Sequence, residues 1–325
     1  MALPTSGVIH HHTSLWRQPN IYWALLGLLY VGFSMVVYGR WIIDGGVHSV
    51  GSGDYGTSAT RRLLLWVWQG VVVALTAALA VYLVRRYRAA RQITLSGAMF
   101  ASGLLSLWVT PLYQYDGYVF GLSRVTVNVS SWGPWIPGWH GDNPESQFIT
   151  PLSADGLPYT LMASWILVSR WLLDRVCSPR KNWRRTTLLV ATLAVCMAAS
   201  CLFEQLWILT GSYAYVSASP GPALFAGHWY QLPLLEVFLL GMWTATFVFM
   251  DRLARDRGTP FPLFRGSEHL SGWQQPVARI LAVNALFTTL TLLWTLVALP
   301  AFSASPSQLN PDLPLHLTPG DVSLD

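Results

Sequence analysis

Seven apolar runs, most of them long enough to cross a lipid bilayer, constrain this chain more than any other feature. They cover residues 21–43, 63–84, 93–112, 158–173, 186–209, 232–250 and 277–302, the fourth being the shortest. A membrane-spanning helix needs about 20 mostly apolar residues. The expected fold class is therefore all-α: a polytopic integral membrane helical bundle of about seven transmembrane helices. Composition agrees, since 53% of the 325 residues are hydrophobic and 11% are charged, against roughly 25% charged in soluble domains. The 17 tryptophans fit an interfacial belt.

Arginine sets the expected orientation. Arg85, Arg86, Arg88 and Arg91 follow the second run. Arg175, Arg180, Lys181, Arg184 and Arg185 follow the fourth. Arg252, Arg255, Arg257 and Arg265 follow the sixth, and Arg279 opens the seventh. The alternate loops carry only Arg61, Arg62 and Arg124. Basic loops stay cytoplasmic, so the N-terminus is expected in the cytoplasm and the C-terminus outside. The net charge of +5 falls in these short clusters, which is the pattern of topology and not of nucleic-acid binding. Lys181 is the only lysine, a bias that fits a GC-rich, actinomycete-like bacterial genome. The expected location is the cell (inner) membrane, multi-pass.

The expected organisation is a cytoplasmic tail over 1–20, one transmembrane domain over 21–302, and a disordered Pro- and Ser-rich tail over 303–325. Residues 1–20 are polar, include His10, His11 and His12, and read as a solvated tail without a cleavable signal peptide. Cys177, Cys196 and Cys201 read as packing thiols. The long outer loop, 113–157, contains Trp132-Gly133-Pro134-Trp135-Ile136-Pro137-Gly138-Trp139. Proline and glycine at that density exclude a regular helix. Its tryptophans suggest a segment lying on the interface or capping a cavity.

Asp116, Glu204 and Glu236 fall at the expected outer ends of three different helices. Glu204 lies about 18 residues from the inner end of its run, roughly 27 Å up. Glu236 is only about 6 Å inside its own. The levels match, and a shared outer vestibule is the simplest reading. An acid near hydrocarbon is costly, roughly 2.5–3.5 kcal/mol for Asp at a helix centre, so such groups mark sites. Desolvation and a second carboxylate both disfavour the ionised form, so one acid can donate a proton while the other is charged. His228 can share that role, and Tyr230 and Gln231 can orient substrate oxygens.

Structural readings stand beside these. Glu204 can pair with arginine or cap a helix, and Glu236 suits the positive end of a helix dipole. Asp116 can simply face water. His228, Trp229 and Tyr230 also fit an interfacial belt. His140, Asp142 and Glu145 match no strong metal motif and read as a solvated loop. No DDxxD, HExxH, G-x-S-x-G or P-loop sequence is present.

Two blocks resemble the AveC spirocyclase family, membrane proteins associated with polyketide biosynthesis. One is Phe203-Glu204, then Gly211-Ser212-Tyr213-Ala214-Tyr215, then Gly227-His228-Trp229-Tyr230-Gln231-Leu232-Pro233-Leu234-Leu235-Glu236. The other runs from Thr110-Pro111 through Asn128 to Ser131-Trp132 and Ile136-Pro137-Gly138-Trp139. The resemblance extends over about Tyr22 to Arg257. It implies closure of a dihydroxy-ketone polyketide into a 6,6-spiroketal, with dehydration as a second activity in some members. One position departs from the family pattern: Thr110 stands where an acidic residue often precedes the proline.

Carried onto this chain, the resemblance points to Glu204, His228, Tyr230, Gln231 and Glu236; the expected catalytic groups are the acid–base pair Glu204 and Glu236, with Asp116 and His228 in support. The expected substrate contacts are Tyr230, Gln231, Trp229, Tyr213, Tyr215, Gln114, Asn128, Trp132 and Trp139. The chemistry needs no cofactor and no metal. The partners are the lipid bilayer and a lipophilic polyketide-like molecule, with no nucleic acid. Two other classes fit the same residues: a terpene- or meroterpenoid-type cyclase, and a transporter or binder of a lipophilic metabolite.

Overall fold

The computed structural model describes residues 18–51, 53–115, 117–141, 147–177 and 183–319. Seven α-helices follow the seven apolar runs in order: α1 (Pro19–Ile43), α2 (Ala59–Ala90), α3 (Leu95–Leu105), α4 (Leu157–Val176), α5 (Arg185–Thr210), α6 (Leu234–Asp256) and α7 (Gln274–Phe302). Helices satisfy their own backbone groups, which is why apolar runs of this length adopt them.

Length and composition bear out five to six of the seven expected spans. Five helices, α1, α2, α5, α6 and α7, are long and apolar enough to cross a membrane. A sixth exists only if α3 is joined to the 3-10 helix Leu107–Gln114, which departs from it by 53°. Pro111 lies inside that 3-10 helix; its ring would clash with the carbonyl of residue 107 in a continuous α-helix and it has no N–H to donate. α4 carries Arg170, Asp174 and Arg175 within its 20 residues, which shortens its apolar length.

α1 lies along α7, α5 along α6, and α3 packs between α4 and α7. Gly241 sets the α5–α6 approach: a Cβ there would fall 2.5 Å from Met197 Cγ and 3.0 Å from its Cα. Small residues let apolar helices meet backbone to backbone. α2 is peripheral, exposing Leu63, Trp66, Val67 and Leu75. At one end of the bundle α4 and α6 are tied by ion pairs, Arg252 to Asp174 at 2.8 Å, Arg255 to Asp174 at 2.9 Å and Arg170 to Asp251 at 3.0 Å.

Short strands build the other end: β1 (Ser49–Val50), β2 (Phe120–Leu122), β3 (Asn128–Ser130), β4 (Phe148–Ile149), β5 (Tyr213–Tyr215), β6 (Ala223–Leu224) and β7 (Leu232–Pro233). β1, β3 and β4 form one antiparallel sheet, β2 pairs with β5, and β6 with β7. The β2–β5 register sets Phe120 opposite Tyr215 and Leu122 opposite Tyr213. Side chains alternate along a strand, so these four share one face. The other face, Gly121 and Ala214, is covered by the C-terminal segment. A Cβ at Gly121 would lie 1.9 Å from the Leu317 carbonyl oxygen.

The C-terminal tail therefore departs from the expected disorder over residues 303–319. Tyr118 bridges to Ala304 and Ser217 to Leu309. His316 and Leu317 are buried. A polar composition stays folded here because Leu317 gives it an apolar anchor, and Tyr118, Arg124, Val216 and Ala218, which flank β2 and follow β5, give it backbone partners. The N-terminal histidines His10, His11 and His12 lie outside the described residues.

Candidate active site

Helical and strand periodicity turn one set of side chains toward a common cavity. Glu204 and Trp207 of α5 are three residues apart, and Glu236, Leu240 and Trp243 of α6 follow at four and seven. α7 adds Thr291 and Trp294, and α4 adds Tyr159, Met162 and Trp165. Residues three or four apart lie on one helix face. The β2–β5 face closes the end with Phe120, Leu122, Tyr213 and Tyr215. The cavity has a volume of about 130 Å³ and opens at a mouth.

Three carboxyl groups line it, Glu204, Glu236 and Asp155, with no lysine, arginine or histidine among the lining residues. The Tyr215 hydroxyl donates to Glu204 Oε1 at 3.1 Å and also contacts Glu236. The Tyr213 hydroxyl reaches Glu204 as well. Trp294 donates its indole N–H to both oxygens of Glu236, at 3.1 and 2.9 Å. The Tyr159 hydroxyl donates to that of Tyr113 at 2.5 Å, and the Tyr113 ring meets Trp294 edge-on at 4.8 Å. Burial holds the Tyr213 and Tyr215 hydroxyls well above the ordinary tyrosine range, so both stay protonated donors. Burial also pushes the Asp155 carboxyl up to about 6, against the lowering effect of its bonds from Thr150.

Of the expected site residues, Glu204, Glu236, Tyr213 and Tyr215 line this cavity. Asp116 lies outside the described residues, as do Asp142 and Glu145. His228 does not join the acids. It is exposed, stacks on Tyr230 at 5.0 Å, and its Nδ1 lies 3.7 Å from Asp312. Trp229 lies under the Arg61 guanidinium at 5.0 Å, and its backbone N–H donates to Asp312.

The remaining residues build the frame. Gln231 is buried and donates to the Tyr215 and Ser217 carbonyls at 3.2 and 2.7 Å, stapling β5 in place. Gln114 accepts from the Val119 and Phe120 N–H groups, which seats β2. Asn128 donates to the Ser123 carbonyl. Trp132 packs on Tyr38 and Trp41 of α1, and Trp139 on Tyr115. The tryptophan-rich loop thus wraps the end of α1.

Sequence reasoning missed Asp155, Tyr113, Tyr159, Trp165, Trp207, Trp243 and Trp294. Helical spacing from Glu204 and Glu236 was sufficient to find Trp207 and Trp243. Nothing local to Asp155 or Trp294 marks them. Among the described residues no three His, Cys, Asp or Glu side chains converge to hold a metal ion.

An apolar helical bundle with an acid-bearing aromatic cavity at one end defines the class: a membrane-type helical protein with an acid-lined aromatic cavity. Residues 90–310 match the family model described as Spirocyclase AveC-like, and the chain belongs to that family. The match starts at the last residue of α2 and runs into the C-terminal segment, later at both ends than the expected Tyr22 to Arg257. No curated protein and no solved structure matches the chain. Membership points to a cyclase with a spirocyclase role in polyketide biosynthesis.

Proposed function

We propose that this protein is a membrane-embedded spiroketal cyclase that closes a dihydroxy-ketone polyketide by cofactor-free acid–base catalysis. The observation that carries the reading is the pairing of Glu204 and Glu236 around the Tyr215 hydroxyl inside one aromatic cavity. The net reaction converts the dihydroxy ketone to spiroketal plus water. The protonated member of the pair delivers its proton to the hydroxyl of the cyclic hemiketal, which leaves as water. The oxocarbenium ion that remains is attacked by the second hydroxyl, whose proton goes to the ionised member. Tyr215, in contact with both carboxyls, then relays that proton back and resets the pair.

The surroundings suit a cation. A nearby carboxylate stabilises it electrostatically. Aromatic faces add about 0.5–2 kcal/mol each where they are desolvated, and Trp165, Trp207, Trp243 and Trp294 line the space. A positioned acid or base contributes roughly 10²–10⁴-fold in rate. Thr110, where an acid is often found, argues for spirocyclisation without dehydration. The five apolar helices and the arginine distribution support seven membrane crossings, α3 with its 3-10 continuation and α4 included, an N-terminus in the cytoplasm and the cavity toward the outer face.

The test is incubation of membranes with a dihydroxy-ketone polyketide, reading spiro configuration by chiral chromatography and NMR. Wild type is expected to give one configuration, and Glu204→Gln or Glu236→Gln the uncatalysed mixture. The uncatalysed mixture from folded wild type and variants alike would sink the reading and favour a binding role.

A further inference from the structure

Asp155 is the one carboxyl group of the cavity that the mechanism above leaves idle. It closes the turn ahead of α4, where the Thr150 carbonyl accepts from the N–H groups of Ser153, Ala154 and Asp155. Thr150 also clamps the side chain: its backbone N–H and its hydroxyl each donate to Asp155 Oδ2 at 3.1 Å. Both bonds fall on the same oxygen. Oδ1 has no hydrogen-bond partner among the described residues. The residue borders the same cavity as Glu204 and Glu236. The titratable groups facing it are the hydroxyls of Tyr113, Tyr159 and Tyr213, with no basic side chain in the lining. A carboxyl group fixed through one oxygen and open through the other is placed to act on a ligand.

Spiroketal formation makes two carbon–oxygen bonds, and the Glu204–Glu236 pair accounts for the second. Resting on the spirocyclase reading, we propose that Asp155 is a further catalytic residue, the proton shuttle of the first ring closure. The first hydroxyl of the substrate adds to the ketone carbon. Its oxygen forms the new C–O bond, its O–H bond breaks, and the proton passes to Asp155 Oδ1. The C=O π pair moves onto the carbonyl oxygen, which takes the same proton back and becomes the hemiketal hydroxyl. Both oxygens end on one carbon, so a single carboxylate oxygen serves both in turn. Asp155 finishes as it began. The single proton of the glutamate pair stays in place for the ionisation that follows.

Two substrates separate the steps: the open dihydroxy ketone, and its mixed methyl ketal with the first ring closed and the second hydroxyl free. The ketal enters at the ionisation step, losing methanol in place of water. Asp155→Asn retains an oxygen to accept both Thr150 bonds, so a purely structural role survives it. The variant is expected to turn over the open ketone about 100-fold more slowly and the methyl ketal at the wild-type rate. Glu204→Gln is expected to slow both. Asp155→Asn slowing both substrates alike, or neither, overturns the proposal. If that variant does not fold, Thr150→Val removes one clamp bond and keeps the carboxyl. It should slow the open ketone alone, and equal rates on both substrates would overturn the assignment. Wild type converting neither substrate overturns the spirocyclase reading, and this proposal with it.

Discussion

Tyr215→Phe tests the coupling between the two glutamates most directly. The substitution removes one hydroxyl and keeps the ring, which is fully buried and packs on Phe120 at 5.0 Å and Phe302 at 5.6 Å. What is lost is the 3.1 Å bond to Glu204 and the contact with Glu236. A hydrogen bond to a charged group contributes about 1.5–3 kcal/mol. At about 1.4 kcal/mol per tenfold in rate, kcat should fall roughly 10- to 100-fold. Tyr213 still reaches Glu204, which favours the lower figure. Tyr215 positions acids and does not grip substrate, so KM should hardly change. The assay is initial-rate spiroketal formation by detergent-solubilised protein, with melting temperature checked in parallel. A folded variant with kcat unchanged, or with its loss confined to KM, would refute the relay.

Three further outcomes follow from the geometry. His228→Ala should leave rate and product configuration at wild-type values, because the imidazole is exposed and faces Asp312; loss of stereocontrol in a product assay would return it to the site. Gly241→Val should lower the melting temperature and abolish turnover by forcing α6 off Met197, whereas Gly32→Ala, with open space around it, should do neither. Asp155 predicts a pH effect on stability. Its carboxyl shifts from 3.8 to about 6 on folding, so the native state binds the proton more tightly. Its contribution is most favourable below about pH 4, falls as pH rises to about 6, and is flat beyond, a loss of about 3 kcal/mol at most. The melting advantage of Asp155→Asn over wild type should therefore be greatest at pH 7 and vanish near pH 4.

Helix positions were legible because burial in hydrocarbon or in a helical core demands long apolar runs, and each run marks its own helix. The common level of Glu204 and Glu236 was legible for the same reason, since helical rise converts residue number into depth. The fourth helix was less so: Arg170 and Asp174 interrupt its apolar length, and only the ion pairs with Asp251, Arg252 and Arg255 explain their presence. The block from Gly227 to Glu236 misled in one respect. His228, Gln231 and Glu236 are close in sequence, yet one faces outward, one staples β5 and one enters the cavity. A tight turn followed by a short strand sends consecutive side chains in different directions.

The sequence by itself determined the mostly helical bundle, the order and approximate ends of its helices, and the common level of the two glutamates, because each depends on local hydrophobicity and helical rise. Only the tertiary structure decided that Tyr215 lies between those glutamates, that Trp294 and Asp155 complete the cavity, and that the C-terminal segment backs its strand pair. Those placements rest on contacts between segments far apart in the chain, such as β2 with β5 and Leu317 with Gly121. Close packing selects such contacts, and no local pattern of residues encodes them.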